Sequence, residues 1–139
     1  MIYQVRVIFG DTDQMGVVYH GNYFRYFEGA RAAFLRASGH SQASLDSWHV
    51  ALPVVEAQAR YHQPARYEDL LDIHIELGEA RAASMTFRYQ ARRGDVLLAT
   101  GFTRHAVVDT RSGRPCRMPG GLRAIVEGAA DEPADRVIT

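Results

Sequence analysis

Residues 9–31 read FGDTDQMGVVYHGNYFRYFEGAR. The stretch begins as the end of an apolar strand and turns through Asp11-Thr12-Asp13. It then crosses Gly16 and enters a helix dense in aromatics, with a start expected near His20–Asn22. The first amides of a helix have no partner inside it, so this layout sets a carboxylate beside free N–H donors. Such a pair suits attack on a carbonyl carbon: the acid activates water or attacks directly, and the amides hold the oxygen that becomes negative. Gly16 supplies a tight turn or a close approach, because it has no Cβ to clash.

Outward from this stretch, two periodicities divide the chain. Residues 2–9 alternate as a first strand. From about Asn22 to Ser38, Tyr23, Phe27, Ala30, Phe34 and Ala37 fall at helical spacing. Phe24, Tyr26, Ala33 and Leu35 widen the stripe, which implies a helix buried on most sides. Gly39 is a natural stop, and Ser41 can cap a short helix to Trp48. Strands follow over Val54–His62, Leu70–Leu77, Met85–Ala91 and Val96–Val108, with a hairpin turn at Arg93-Gly94-Asp95. Ile73, Ile75 and Leu77 share one face of their strand. Pro119 opens a C-terminal helix to about Glu127. Residues 1–127 thus read as one domain, and 128–139, acidic and Pro-containing, as a loose tail. The order is α+β: one sheet must cover one apolar helix, and its free edge favours self-association.

Composition narrows the function. The 139 residues include 16 acidic and 16 basic side chains, so no net charge recommends a nucleic-acid partner. All the basic residues are Arg, the better fork for phosphate. Cys116 stands alone, no apolar run reaches the ~20 residues of a membrane span, and the N-terminus lacks a signal-peptide pattern. The expectation is a cytoplasmic protein. His40, His49, His62, His74 and His105 show no metal-binding spacing, so no metal is expected. The absence of G-x-S-x-G argues against a serine thioesterase of the α/β-hydrolase kind.

The run Asp11-Thr12-Asp13, Gly16-Val17-Val18-Tyr19-His20, Asn22-Tyr23, Tyr26-Phe27-Glu28 and Ala30-Arg31 resembles the signature of hotdog-fold acyl-CoA thioesterases. It is most similar to the 4-hydroxybenzoyl-CoA thioesterase branch, which includes the acyl-CoA thioesterases of the Tol–Pal gene cluster. Tyr61–Asp69 and Arg114–Leu122 extend the likeness. The resemblance implies an antiparallel sheet of about five or six strands wrapped around one long central helix. It also implies homodimers or homotetramers with active sites between subunits. The family's catalytic carboxylate falls on Asp13 and its oxyanion donor on the His20 amide. Gly16, Val17, Tyr19 and Tyr23 fall at the substrate, and Arg81 at a stretch that in some members meets coenzyme A phosphates. Asp11 is read as a structural residue of its own loop, and Glu28 with Arg31 as a brace.

The expected activity is hydrolysis of an acyl- or aryl-CoA thioester without a cofactor. The residues leave open whether Asp13 is a general base or a nucleophile. They also leave open a non-catalytic acyl-CoA or acyl-carrier-protein binding module, and a thioesterase acting on carrier-bound acyl groups.

Overall fold

The computed structural model describes residues 1–139. Strand β1 (Ile2–Arg6) leads through a 3-10 turn at Phe9–Asp11 to helix α1 (Asn22–Ala37) and short helix α2 (Gln42–Ser47). Strands β2 (Val50–Ala51), β3 (Val54–Tyr61), β4 (Leu70–Arg81), β5 (Ser84–Arg93), β6 (Val96–Ala106) and β7 (Val108–Asp109) follow. Helix α3 (Gly120–Ala129) and strand β8 (Val137–Ile138) close the chain. The main sheet has six strands in the order β3-β6-β5-β4-β1-β8, and β2 with β7 forms a separate ribbon. All its pairs are antiparallel except β1 with β8. This is the expected α+β architecture: the long helix lies against one sheet.

Burial explains the register. Leu71, Ile73 and Ile75 of β4 and Met85, Phe87 and Tyr89 of β5 all point inward, as strand alternation requires. The helix answers with Tyr23, Tyr26, Phe27, Ala30, Ala33 and Phe34. At the centre the Phe27 ring stacks on Tyr89 at 4.2 Å. A Cβ on Gly101 would stand 2.7 Å from that Phe27 ring, so glycine is what lets helix and sheet close to this distance.

Four expectations change. The helix is buried along one face only: Arg25, Glu28, Ala32 and Arg36 are exposed and Phe24 and Leu35 half-buried, because one sheet covers one stripe. The first strand ends at Arg6, and the 3-10 turn that frees Asp11 from the ladder leaves Phe9 75% exposed. The long strand from Val96 breaks at Val107, whose N–H bonds the Ala83 carbonyl while β7 turns away to pair with β2. The residues from 128 onward are docked rather than loose. Ile138 is buried, the Ile2 N–H donates to the Arg136 carbonyl at 2.7 Å, and β8 pairs with an edge of β1 that would otherwise lie open.

A polar chain threads this core. Arg31 Nη1 donates to the Tyr89 hydroxyl at 3.1 Å, and Tyr89 lies 2.6 Å from Thr103 Oγ1. Thr103 Oγ1 lies 2.8 Å from His105 Nε2, and His105 Nδ1 lies 2.8 Å from the Leu52 carbonyl. A carbonyl can only accept, so Nδ1 carries the proton and Nε2 accepts from Thr103. Burial, opposed by the Leu52 bond, therefore lowers the His105 pKa. A histidine held neutral when folded but free to charge when unfolded stabilises above its unfolded pKa, about 6.5. Urea midpoints should fall as pH drops from about 7 toward 5, and His105→Gln should flatten that dependence.

Candidate active site

The site is built around a buried carboxylate. Asp11 is only 3% exposed, and its Oδ1 pairs with Arg25. Its Oδ2 accepts the Tyr26 hydroxyl at 2.7 Å and the Ile8 N–H at 3.4 Å. Burial, and then the bond to Asp11, drives the Tyr26 pKa far above the ordinary tyrosine value, so that hydroxyl stays a donor. The Asp11 carbonyl accepts the Tyr19 N–H at 2.9 Å and the Asn22 side-chain amide at 2.8 Å. One residue thus ties the end of the first strand to the first two turns of α1.

The loop between them is a small hairpin. Thr12 bridges Val18, and the Asp13 N–H donates to the Val17 carbonyl at 2.9 Å. Gly16 closes the turn at φ +74°, a conformation that favours glycine. Nothing but Arg66 Nη1, at 3.9 Å, would meet a Cβ there, so backbone conformation rather than crowding demands the glycine. Half-buried Asp13 turns its Oδ1 to the Met15 N–H at 2.8 Å, and its Oδ2 makes no hydrogen bond.

At the helix mouth, the Tyr19 carbonyl accepts the Asn22 N–H at 2.9 Å, which adds a turn before Asn22. The His20 carbonyl accepts the Tyr23 N–H at 3.4 Å and the Tyr61 hydroxyl at 2.9 Å. The His20 and Gly21 amides have no partner in the chain. The His20 ring lies 4.3 Å from the Tyr19 ring and 6.2 Å from that of Tyr61.

The residues singled out in the sequence separate here. Asp13, Gly16, Val17, Tyr19 and His20 share one loop and helix start, although no hydrogen bond joins Asp13 to His20. Tyr23 is 3% exposed and packs edge-on against Tyr26 and Tyr61, so its ring is core rather than an open contact. Arg81 lies at the far end of β4 from Leu70 and pairs with Glu79, so one chain does not bring it to Asp13. Arg66, whose guanidinium stands beside Gly16, does reach the site. Tyr61 and Arg66 sit in the segment Tyr61–Asp69 of the family likeness, but nothing in their spacing assigns them a role. Nowhere do three potential metal ligands gather.

Comparison with known proteins agrees with this picture. The model of the thioesterase-like superfamily matches residues 7–126. An acyl-CoA thioesterase YbgC of Haemophilus influenzae is 32% identical over 88% of this chain and 90% of its own. A Thermus thermophilus protein of solved structure is 34% identical with a TM-score of 0.86, over 92% of this chain and 98% of its own. The gentisyl-coenzyme A thioesterase BH1999 is 25% identical with a TM-score of 0.81, over 90% and 98%. The family match, the thioesterase relatives and a sheet laid on one long helix together define a hotdog-fold enzyme of thioester hydrolysis. This chain belongs to the thioesterase-like superfamily.

The Asp11 clasp should show in stability. Asp11→Ala removes the acceptor of a buried tyrosine hydroxyl and of a partly solvated guanidinium. A loss of about 1–3 kcal/mol in urea unfolding is expected.

Proposed function

We propose that this enzyme hydrolyses acyl-CoA thioesters to the free acid and coenzyme A, with Asp13 as general base or nucleophile and the His20 amide as the oxyanion donor. The observation that supports this reading is the pair of unpartnered amides at His20 and Gly21, next to a loop whose Asp13 keeps one carboxylate oxygen free. The known substrate class of the H. influenzae relative points the same way.

The thioester carbonyl oxygen sits at the helix mouth. As the tetrahedral intermediate forms, its charge grows where the His20 N–H, joined by that of Gly21, already points. One such donor lowers the barrier by about 3–4 kcal/mol. Asp13 Oδ2 either takes a proton from the attacking water and passes it to the departing coenzyme A sulfur, or bonds to the carbonyl carbon and expels the thiolate, leaving a mixed anhydride that water then hydrolyses to the free acid. The steps use only the chain's own groups, so the reading calls for no cofactor.

Arg66 is the better placed guanidinium for the nucleotide phosphates within one chain, since it forms no hydrogen bond through its side chain. Arg81 enters through a second subunit. Strand β3 pairs with β6 on one side only, and Val54, Val55 and Tyr61 along it are about half exposed. The opposite edge of the sheet is covered by β8. Antiparallel pairing of two β3 edges forms a closed dimer and sets the Arg81 end of the partner's sheet level with the Asp13 end of this one. Further pairing of dimers gives a tetramer. No helix is long and apolar enough to cross a membrane, and with its lone Cys116 we assign the enzyme to the cytoplasm.

Asp13→Asn keeps the oxygen that accepts from Met15, so the loop should survive. A thiol-release assay with a panel of acyl-CoA esters should show kcat reduced at least ~100-fold at an unchanged melting temperature. Parent-rate hydrolysis by this variant would remove Asp13 from the mechanism. The same assay with carrier-protein thioesters tests the carrier of the acyl group.

A further inference from the structure

We infer that Tyr61 is a positioning residue for thioester hydrolysis: its hydroxyl grips the His20 carbonyl and so aims the amide on the other side of that peptide at the substrate oxygen. This rests on the reading that the His20 and Gly21 amides hold the oxyanion.

A trans peptide is planar, with its C=O and N–H pointing in opposite directions. Fixing the carbonyl of one peptide therefore fixes its N–H. The Tyr19–His20 peptide is held by the Asn22 N–H on the Tyr19 carbonyl at 2.9 Å, which directs the His20 N–H outward. The His20–Gly21 peptide has only a long intrahelical bond, from the Tyr23 N–H at 3.4 Å. The next bond of the helix, Phe24 N–H to the Gly21 carbonyl, is also long at 3.3 Å. Left to these contacts, the first turn would fray. The Tyr61 hydroxyl, at 2.9 Å, is the short bond on the His20 carbonyl.

That hydroxyl is itself well aimed. The Tyr61 ring packs edge-on against Tyr23 at 5.4 Å, and Tyr23 is core. Tyr61 stands at the end of β3, the strand farthest from β1 in the sheet order, so it braces the helix mouth from the side opposite Asp11. Burial, and then the nearby Tyr19 phenol, raises the Tyr61 pKa, which keeps the hydroxyl protonated as a donor. A donor on a peptide's carbonyl also polarises its N–H, and the gain grows as charge develops opposite it. The effect belongs to the transition state, so it should appear in kcat rather than KM. Stability should hardly register it, because within one chain the bond is solvent-exposed and water can replace the hydroxyl on the carbonyl.

The test is Tyr61→Phe, which deletes one oxygen. With an acyl-CoA ester that the parent hydrolyses, kcat should fall roughly 10-fold at a KM within about twofold of the parent. The melting temperature should hold, and amide exchange at Gly21, read by NMR, should quicken. An unchanged kcat overturns the inference, as does a change confined to KM, which would make Tyr61 a substrate contact. A variant that fails to fold would show Tyr61 to be structural, again against it. Asp13→Asn measured alongside separates the levels. If Asp13→Asn is inactive while Tyr61→Phe is fully active, only the role of Tyr61 fails. Full activity in Asp13→Asn removes the underlying reading as well.

Discussion

A carboxylate taken out of water must find partners, and the partners of Asp11 organise this molecule. Its two oxygens hold Arg25 and Tyr26 on α1 and the Ile8 amide before it, while its carbonyl holds Tyr19 and Asn22. Because α1 is fixed at its mouth, its apolar face falls on β4 and β5, and Phe27 can stack on Tyr89 over Gly101. The ion pair itself is half-solvated and contributes modestly. The constraint lies in geometry: a satisfied Asp11 permits one direction of helix entry.

That direction has chemical consequences. The clasp uses the Tyr19 and Asn22 donors and leaves those of His20 and Gly21 unspent. It also makes Thr12–Val18 a closed loop that displays Asp13 at its edge. The two acidic residues of the Asp-Thr-Asp run therefore divide the work. Asp11 is buried and fully engaged, whereas Asp13 is half-buried with an oxygen to spare. Two carboxylates one residue apart thus differ in burial and in the partners they hold.

Much of this was legible in the sequence, for physical reasons. Aromatic residues at helical spacing located α1, Ser41 marked the start of α2, and alternation put Ile73 and Ile75 inward, because each pattern is local. The roles given to Asp13 and the His20 amide came from a family likeness, which the fold supports only by placing both at one loop and helix mouth. What local pattern cannot hold is long-range partnership. Tyr61 reaches His20 across 41 positions, and the tail reaches β1 from the far end of the chain. The tail looked loose because it is acidic and Pro-containing. Ile138 is explained only by the edge of β1 that it covers. Tyr23 was placed at the substrate by the family likeness, while its place in the helical stripe already pointed to the core in which its ring packs. Arg81 was carried over from the family likeness, and its distance along β4 appears only when the hairpin is built.

In the proposed mechanism a thioester oxygen lands on the amides at the mouth of α1, with Asp13 beside the carbonyl carbon. A crystal structure of the enzyme with a non-hydrolysable acyl-CoA analogue, its thioester replaced by a thioether ketone, tests it directly. The ketone oxygen should lie about 2.7–3.1 Å from the His20 nitrogen, with an Asp13 oxygen facing the carbonyl carbon. A ketone bound away from these amides, or an Asp13 turned from the carbon in every subunit, would contradict it.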